Sequence, residues 1–303
     1  MRSVISLIIG ITLLGQAAVY ADDSDQLNKS ENQTGVLGRF LYNEKSDEFV
    51  LQSKDRSFLE KYYSSVENYS PAGIFSYLFN NLPLAIHSEG QQYQLELSKS
   101  PFLINRPKSA VEGFLTTDER VIIRSSDCLA LNRVQKAFAT LEQVPLNRST
   151  TEASCESPGM SHSVDITRDI PSFVKNSVGV LRAQANCFNT VALTAGITND
   201  LGYEEGATFL SQVTANCKLH PGLPEFGDIV IIFADKDQPN HAFYFFSADL
   251  GFEKPGYDSN NPYHFMKPSE VLDLYMVADK YRYLQIPEPK SNANYAQAYT
   301  CAK

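Results

Sequence analysis

The stretch FGDIVIIFADKDQPNHAFYFFSADLGFEKPGY, residues 226–257, decides the fold class of this chain. It contains three strand candidates, DIVIIFA, HAFYFFS and GFEKPGY, and the polar residues between them are typical of turns. The runs therefore predict consecutive strands of an antiparallel sheet. From residue 165 to this stretch, the apolar residues have helical spacing. Helices followed by an antiparallel meander predict an α+β fold, with helices packed on the sheet.

The segments on either side of this region divide the chain into two predicted domains. After the meander, SEVLDLYMV predicts a helix and KYRYLQIP a closing strand, so residues 127–303 form one α+β domain. Residues 36–126 contain four or five alternating strand patterns around one helical segment. They predict a small β-rich N-terminal domain, and the pattern suits an OB-like barrel as well as any other half-open β-barrel.

The first residues of the chain predict export. Arg2 precedes an apolar run over residues 4–14, and Val19 and Ala21 are small residues at the cleavage-site positions. We interpret residues 1–21 as a signal peptide and the polar residues 22–35 as a disordered lead-in. The apolar run is too short to span a bilayer, so we expect a periplasmic or secreted protein that is not inserted in a membrane.

The net charge argues against polyanionic partners. The chain has 26 basic and 35 acidic residues, and removal of the signal peptide leaves 25 against 35, a net charge of −10. Nucleic acids and anionic membranes bind basic surfaces, and no basic cluster offsets this charge. We therefore expect no nucleic-acid partner. The oligomeric state is left open.

The cysteines provide the first functional clue. The five of them are Cys128, Cys155, Cys187, Cys217 and Cys301. An odd number in an oxidising compartment leaves one thiol over. A Cys128–Cys155 bridge would fasten a loop to a helix start, and Cys217 could pair with Cys301, which would leave Cys187 free. No spacing is typical of a metal site, so neither a metal nor another cofactor is expected.

Cys187 lies in QANCFNTVALTAGI, residues 184–197, where a polar segment changes to an apolar one. Asn186 is a suitable helix cap and Gly196 a suitable stop, so the sulfur is predicted in the first turn of a helix. The positive end of the helix dipole stabilises a thiolate there. Cys187 is thus a candidate nucleophile, and a buried or disulfide-bonded cysteine is the alternative.

Two further residues complete a candidate catalytic set. His241 opens an apolar strand after a turn, where imidazole can accept a thiol proton and return it to a leaving amine. Glu253 lies on the following predicted strand and could face His241 across the pair, which would orient the ring. Asp258 is the second choice for the orienting group and Asn240 a weaker one.

The order of these residues resembles that of the NlpC-like cell-wall peptidases, which belong to the papain-like cysteine hydrolases. The resemblance covers residues 175–290: a cysteine at a helix start, Gly227 and Asp228 before an apolar strand, a histidine opening the next strand, and a polar residue on the one after. It implies that Cys187 is the nucleophile and His241 the base. Three features differ from the family pattern: NCFN surrounds the cysteine, AF follows the histidine, and Glu253 is the third member.

Together these features predict an exported thiol hydrolase of amide bonds, with the stem peptides of peptidoglycan or another peptide as substrate. Two alternatives use the same residues. One is an inactive papain-like module that binds a wall fragment or a protein partner, and the other is an acyltransferase or amidase with the same three residues.

Overall fold

The structure of the protein is a computed structural model. This structure describes residues 35–68, 86–89, 92–97, 111–142, 162–234, 238–257, 261–283 and 295–301. The predicted signal peptide and residues 22–34 of the predicted lead-in lie outside these ranges. No helix within the ranges is long and apolar enough to cross a membrane.

The described residues form six helices and fourteen strands. The helices are α1 (Arg56–Asn68), α2 (Cys128–Glu142), α3 (Ser172–Ser177), α4 (Cys187–Thr194), α5 (Gly206–Asn216) and α6 (Pro268–Tyr283). The strands are β1 (Val36–Asn43), β2 (Glu48–Ser53), β3 (Ile86–Glu89), β4 (Gln92–Leu97), β5 (Glu112–Leu115), β6 (Val121–Ser125), β7 (His162–Asp165), β8 (Val180–Arg182), β9 (Cys217–His220), β10 (Ile229–Ala234), β11 (Gln238–Ser247), β12 (Leu250–Glu253), β13 (His264–Met266) and β14 (Tyr295–Cys301). They build a mixed α+β fold with three antiparallel sheets, as predicted.

The largest sheet has six strands in the order β13-β12-β11-β10-β14-β9. The predicted meander forms its centre, because β10 pairs with β11 and β11 with β12, both antiparallel. The predicted closing strand KYRYLQIP is wrong in its described part: residues 280–283 continue helix α6. β14 pairs with β10 instead and completes this side of the sheet.

Helices cover both faces of the six-stranded sheet. Along β10, Ile229, Ile231 and Phe233 pack into one apolar cluster with α4 and α5. The alternate residues Val230 and Ile232 pack into another cluster with Val271 of α6. Successive side chains of a strand point to opposite faces, so a strand buried on both sides is apolar at every position. This accounts for the unbroken apolar run DIVIIF.

The N-terminal strands form an open sheet, which corrects the expected barrel. Their order is β3-β4-β2-β1-β8, and α1 packs on this sheet through Phe58 and Tyr62. β5, β6 and β7 form a separate three-stranded sheet. Among the described residues, the backbone pairing between the two sheets is limited to an isolated bridge between Tyr42 and Thr116. A barrel does not close there because β1 already has β2 and β8 as its two neighbours.

Two of the three sheets contain strands from both sides of the predicted boundary at residue 126. β8 pairs with β1, and β7 pairs with β6. Gly179 makes the first pairing possible: it adopts a φ of +80°, and a Cβ atom there would lie 2.4 Å from the carbonyl oxygen of Phe40. The division into two domains stays a prediction, although the chain segments are joined by shared sheets.

Candidate active site

Helix α4 places Cys187 at its first position. The side chain of Asn186 accepts a hydrogen bond from the N–H of Asn189 at 3.1 Å, which is the predicted helix cap. After the helix end, Gly196 adopts a φ of +72°. α4 is buried on nearly all sides, and Cys187 itself is 5% exposed. The N–H groups of the first turn point out of the helix beside the sulfur.

The disulfide pattern leaves the Cys187 thiol free. Cys217 and Cys301 form a disulfide, which is one of the pairings that the sequence left open. Cys128 is also disulfide-bonded, and its predicted partner Cys155 lies outside the described residues. Cys187 is a free, buried cysteine, as the odd cysteine count predicts.

His241 lies between the sulfur and a carboxylate. It lies inside β11, which begins at Gln238 and so extends beyond the predicted strand opening, and it is opposite Ile232 of β10. Its ring interacts electrostatically with Cys187, and its Nε2 atom pairs with Oε2 of Glu253. The structure thus brings all three predicted residues together, with His241 and Glu253 almost fully buried.

Glu253 reaches His241 diagonally across the strands, which differs from the predicted facing arrangement. The register of β11 and β12 places Tyr244 opposite Phe252, so the next pair along would join Phe243 to Glu253. His241 is two residues further along β11. Diagonal neighbours of this kind are still within reach of long side chains. The prediction had the right two strands but not the right register.

His264 holds the other oxygen of Glu253, a role that the sequence does not reveal. It lies directly opposite Glu253 in the β12–β13 pair, and its Nε2 atom is 3.2 Å from Oε1 of the carboxylate. The sequence places it in a polar turn, because its strand has only three residues. Of the other orienting candidates, Asn240 is exposed and Asp258 lies outside the described residues.

Tyr275 of α6 covers the His241 ring. The two rings are parallel to within 7°, and their centroids are 3.7 Å apart. This contact restricts rotation of the imidazole and places the aromatic face over a ring that can carry positive charge. No local pattern in the sequence indicates it, since it depends on how α6 packs on the sheet.

The charges in this site stabilise one another. Burial disfavours the charged imidazole, but the negative charges of Cys187 and Glu253 and their hydrogen bonds outweigh this effect and raise the pKa of His241 to about 9. For Glu253, burial acts against ionisation, but the charge of His241 and the hydrogen bonds from both histidines lower its pKa overall. His241 is therefore protonated and Glu253 ionised at neutral pH.

A second histidine–carboxylate pair lies in the same sheet. Nδ1 of His220 is 2.6 Å from Oδ2 of Asp228, and Thr300 donates to Oδ1 at 2.6 Å. The N–H of Glu225 also donates to Oδ2, at 2.8 Å. Asp228 therefore closes the turn before β10 and ties it to β14, which favours a structural role for this pair.

Comparisons with known proteins found no match for this chain. No family model matches the chain, and neither a curated protein nor a solved structure matches it. Within the described ranges, no group of three or more His, Cys, Asp or Glu side chains is arranged to hold a metal ion. The chemistry of the site must be inferred from the arrangement of its residues.

Proposed function

We propose that this protein is an exported thiol hydrolase that cleaves amide bonds. Cys187 is the nucleophile, His241 is first the base and then the acid, and Glu253 orients the histidine. The observation that carries the proposal is the buried chain of contacts from a free thiol through an imidazole to a carboxylate. A nucleophile, a base and a group that fixes the base are the parts that covalent hydrolysis of an acyl group needs.

The first half of the reaction forms a thioester. At neutral pH the proton shared by Cys187 and His241 already lies on the imidazole, and the Cys187 thiolate attacks the carbonyl carbon of the substrate. The N–H groups at the start of α4 can stabilise the oxyanion that forms on the carbonyl oxygen. The imidazolium then gives its proton to the leaving nitrogen, the C–N bond breaks, and the amine product departs.

The second half of the reaction uses water. His241, now neutral, takes a proton from a water molecule, and the hydroxide attacks the thioester carbon. The C–S bond breaks, the acid product departs, and the proton returns to the Cys187–His241 pair. Glu253 stabilises the imidazolium in both halves and, together with Tyr275, keeps the ring oriented.

We propose an NlpC-like, papain-like fold for the catalytic domain and peptidoglycan stem peptides as its substrate. Three features support this assignment: the order of cysteine, histidine and carboxylate along the chain, the helix start that carries the sulfur, and the predicted export. The acidic balance of the chain is compatible with a peptide substrate and disfavours a nucleic acid.

Alkylation tests the activated thiol. Iodoacetamide at pH 6 should modify Cys187 at least about tenfold faster than it modifies glutathione, because a neighbouring imidazolium favours the thiolate. Mass spectrometry of tryptic peptides reports the site. The His241→Ala variant is the control and should lose this advantage. A rate no greater than that of a buried thiol would contradict activation of Cys187.

Digestion of purified peptidoglycan tests the reaction itself. The wild type should release new amine and carboxyl termini, and Cys187→Ala should release none. Chromatography with mass spectrometry of the fragments identifies the bond. Equal, non-zero release by both proteins would exclude Cys187 as the nucleophile.

The burial of the site favours one second candidate, an inactive binding module. Cys187 is 5% and His241 1% exposed, so a substrate has to displace the groups that cover them. A module of this kind would bind peptidoglycan fragments in sedimentation or calorimetry while releasing no fragment. Release by the wild type but not by Cys187→Ala decides between the two candidates in favour of the hydrolase.

A further inference from the structure

Two asparagines hold the loop between α4 and α5 against the start of the nucleophile helix. Asn189 donates to the carbonyl of Asp200 at 2.7 Å and accepts from the N–H of Gly202 at 3.1 Å. Asn186 donates to the carbonyl of Glu204 at 2.7 Å and accepts from its N–H at 3.3 Å. Each amide side chain thus pairs with both a donor and an acceptor of the loop. These bonds place the loop backbone beside the first turn of α4.

Glu204 is the one acidic residue of this loop whose side chain is buried. It is 8% exposed, whereas its chain neighbours Tyr203 and Glu205 are exposed. Both carboxyl oxygens are shielded from solvent, and neither accepts a hydrogen bond from the residues that the structure describes. Burial raises the pKa of Glu204. A buried polar group without a partner is destabilising by about 1–3 kcal/mol, so its presence calls for a functional reason.

The backbone of Glu204 lies beside the start of the nucleophile helix. Both of its backbone polar groups bond to the side chain of Asn186, the residue before Cys187. Adjacent Cα atoms are about 3.8 Å apart, and a side-chain amide spans a similar distance, so the Cα atoms of Glu204 and Cys187 lie within about 10 Å. A substrate bound at the sulfur extends over such a distance within two or three residues.

The loop that carries Glu204 also has exposed apolar side chains. Tyr203 is 60% and Leu201 51% exposed, and both are on the same loop. Large exposed hydrophobic side chains beside a candidate active site are typical of a binding surface. The loop that carries the buried carboxyl thus also presents apolar side chains that can contact the aliphatic part of a ligand.

We propose that Glu204 is a specificity-determining residue whose carboxylate binds a primary ammonium group of the substrate, next to the carbonyl that Cys187 attacks. This inference rests on the proposed hydrolase function. An ammonium group supplies the proton donors that both carboxyl oxygens lack, and Leu201 and Tyr203 would cover the methylene groups that lead to it. A substrate without the charged amine leaves the carboxyl unpaired and is bound less well.

Two synthetic stem tetrapeptides containing lysine test this proposal, one with both primary amines free and one with both acetylated. The wild type should cleave the free peptide with a kcat/KM at least about tenfold higher. Glu204→Gln should lower kcat/KM for the free peptide and reduce the ratio to near one. Glu205→Gln, which changes the exposed neighbour, is the matched control and should keep the wild-type ratio.

Thermal unfolding separates this role from a structural one. Glu204→Gln should not lower the Tm, because it replaces a carboxyl that has no hydrogen-bond partner. The comparison of the two peptides with the wild type needs no variant and remains decisive if Glu204→Gln fails to fold. Equal kcat/KM for both peptides overturns the role of Glu204 and leaves the hydrolase intact. If the wild type cleaves neither these peptides nor peptidoglycan, the proposed function falls and the role of Glu204 with it.

Discussion

In the described part of the six-stranded sheet, two carboxylates are bound by histidine, and each lies near a cysteine. His241 pairs with Glu253 beside the free thiol of Cys187. His220 pairs with Asp228 near the disulfide that starts at Cys217, the first residue of the strand that His220 ends. The same two functional groups thus occur in one sheet with different surroundings.

The surroundings assign the two pairs to different roles. Asp228 accepts from a backbone N–H and from Thr300, so its oxygens are used to join a turn to β14. Glu253 is bound by two histidine side chains, and one of them, His241, also interacts with Cys187. A histidine–acid pair is a candidate for catalysis when the ring connects the acid to a nucleophile. It is a structural element when the acid accepts hydrogen bonds that hold a turn in place.

Removing each histidine should separate the two roles most strongly. His241→Ala should lower kcat at least about 10³-fold, because neither the base nor the acid remains. His220→Ala should keep kcat within about twofold and lower the free energy of unfolding by about 1–3 kcal/mol, through loss of its bond to Asp228. Kinetics with a stem peptide and urea denaturation measure both effects. Equal loss of activity in the two variants would remove the distinction.

Neutralising each carboxylate should produce a smaller difference in kcat between the two histidine–carboxylate pairs. Glu253→Gln should lower kcat about 10²-fold or more, because an amide neither stabilises the imidazolium nor fixes its tautomer. Asp228→Asn should leave kcat nearly unchanged and lower the Tm by a few degrees. Steady-state kinetics and calorimetry provide the two readouts. A Glu253→Gln enzyme with unchanged kcat and pH profile would show that the carboxylate has no orienting role.

The pH dependence should come from the His241 pair. The pKa of His241 is raised from 6.5 to about 9, so its stabilising effect is complete below about pH 6.5 and is lost as pH rises through about 9. The pKa of Glu253 is lowered, so its effect is present above about pH 4.3 and is lost as pH falls. The wild type should therefore lose stability relative to His241→Gln between pH 6 and pH 10, measured by urea denaturation.

The pH dependence of kcat should also follow the protonation of His241. Above about pH 9 the imidazolium that protonates the leaving amine is lost, so kcat should fall about tenfold per pH unit. A pH–rate profile of the wild type checks this limb. Constant kcat from pH 8 to pH 10.5 would be inconsistent with His241 as the acid.

The stacked tyrosine should have the smallest effect. Tyr275→Ala removes the ring that covers His241 and should lower kcat about 3- to 10-fold, in line with about 0.5–2 kcal/mol for a cation–π contact. Tyr275→Phe keeps the aromatic face and should retain most of the activity. The two variants should have similar Tm values if the effect is local. Equal kcat values for the Ala and Phe variants would exclude a role for the stacking.

Local patterns in the sequence account for a large part of the fold and of the site. The meander, the start of α4 at Cys187 and the free thiol all follow from residues close together in the chain or from the cysteine count. Predictions that depend on distant contacts were less accurate. The barrel did not close, and the segment predicted as a closing strand continues α6, because strand pairing is decided by partners far along the chain.

The residues that complete the site were missed for the same reason. Tyr275 reaches His241 only because α6 packs on the sheet, and His264 reaches Glu253 through a three-residue strand. Glu204 becomes a buried acid through its loop's bonds to Asn186. None of these contacts has a signature in the neighbouring sequence.

The sequence by itself determined which residues can perform chemistry: one unpaired cysteine at a helix start, a histidine at the opening of a strand and an acid on the next. These are properties of composition and of spacing within one or two elements. Only the tertiary structure decided their connection, because the diagonal register of β11 and β12, the stacking of α6 and the loop beside α4 arise from packing between distant segments. Side-chain contacts across strands and helices depend on that packing, and no local pattern encodes it.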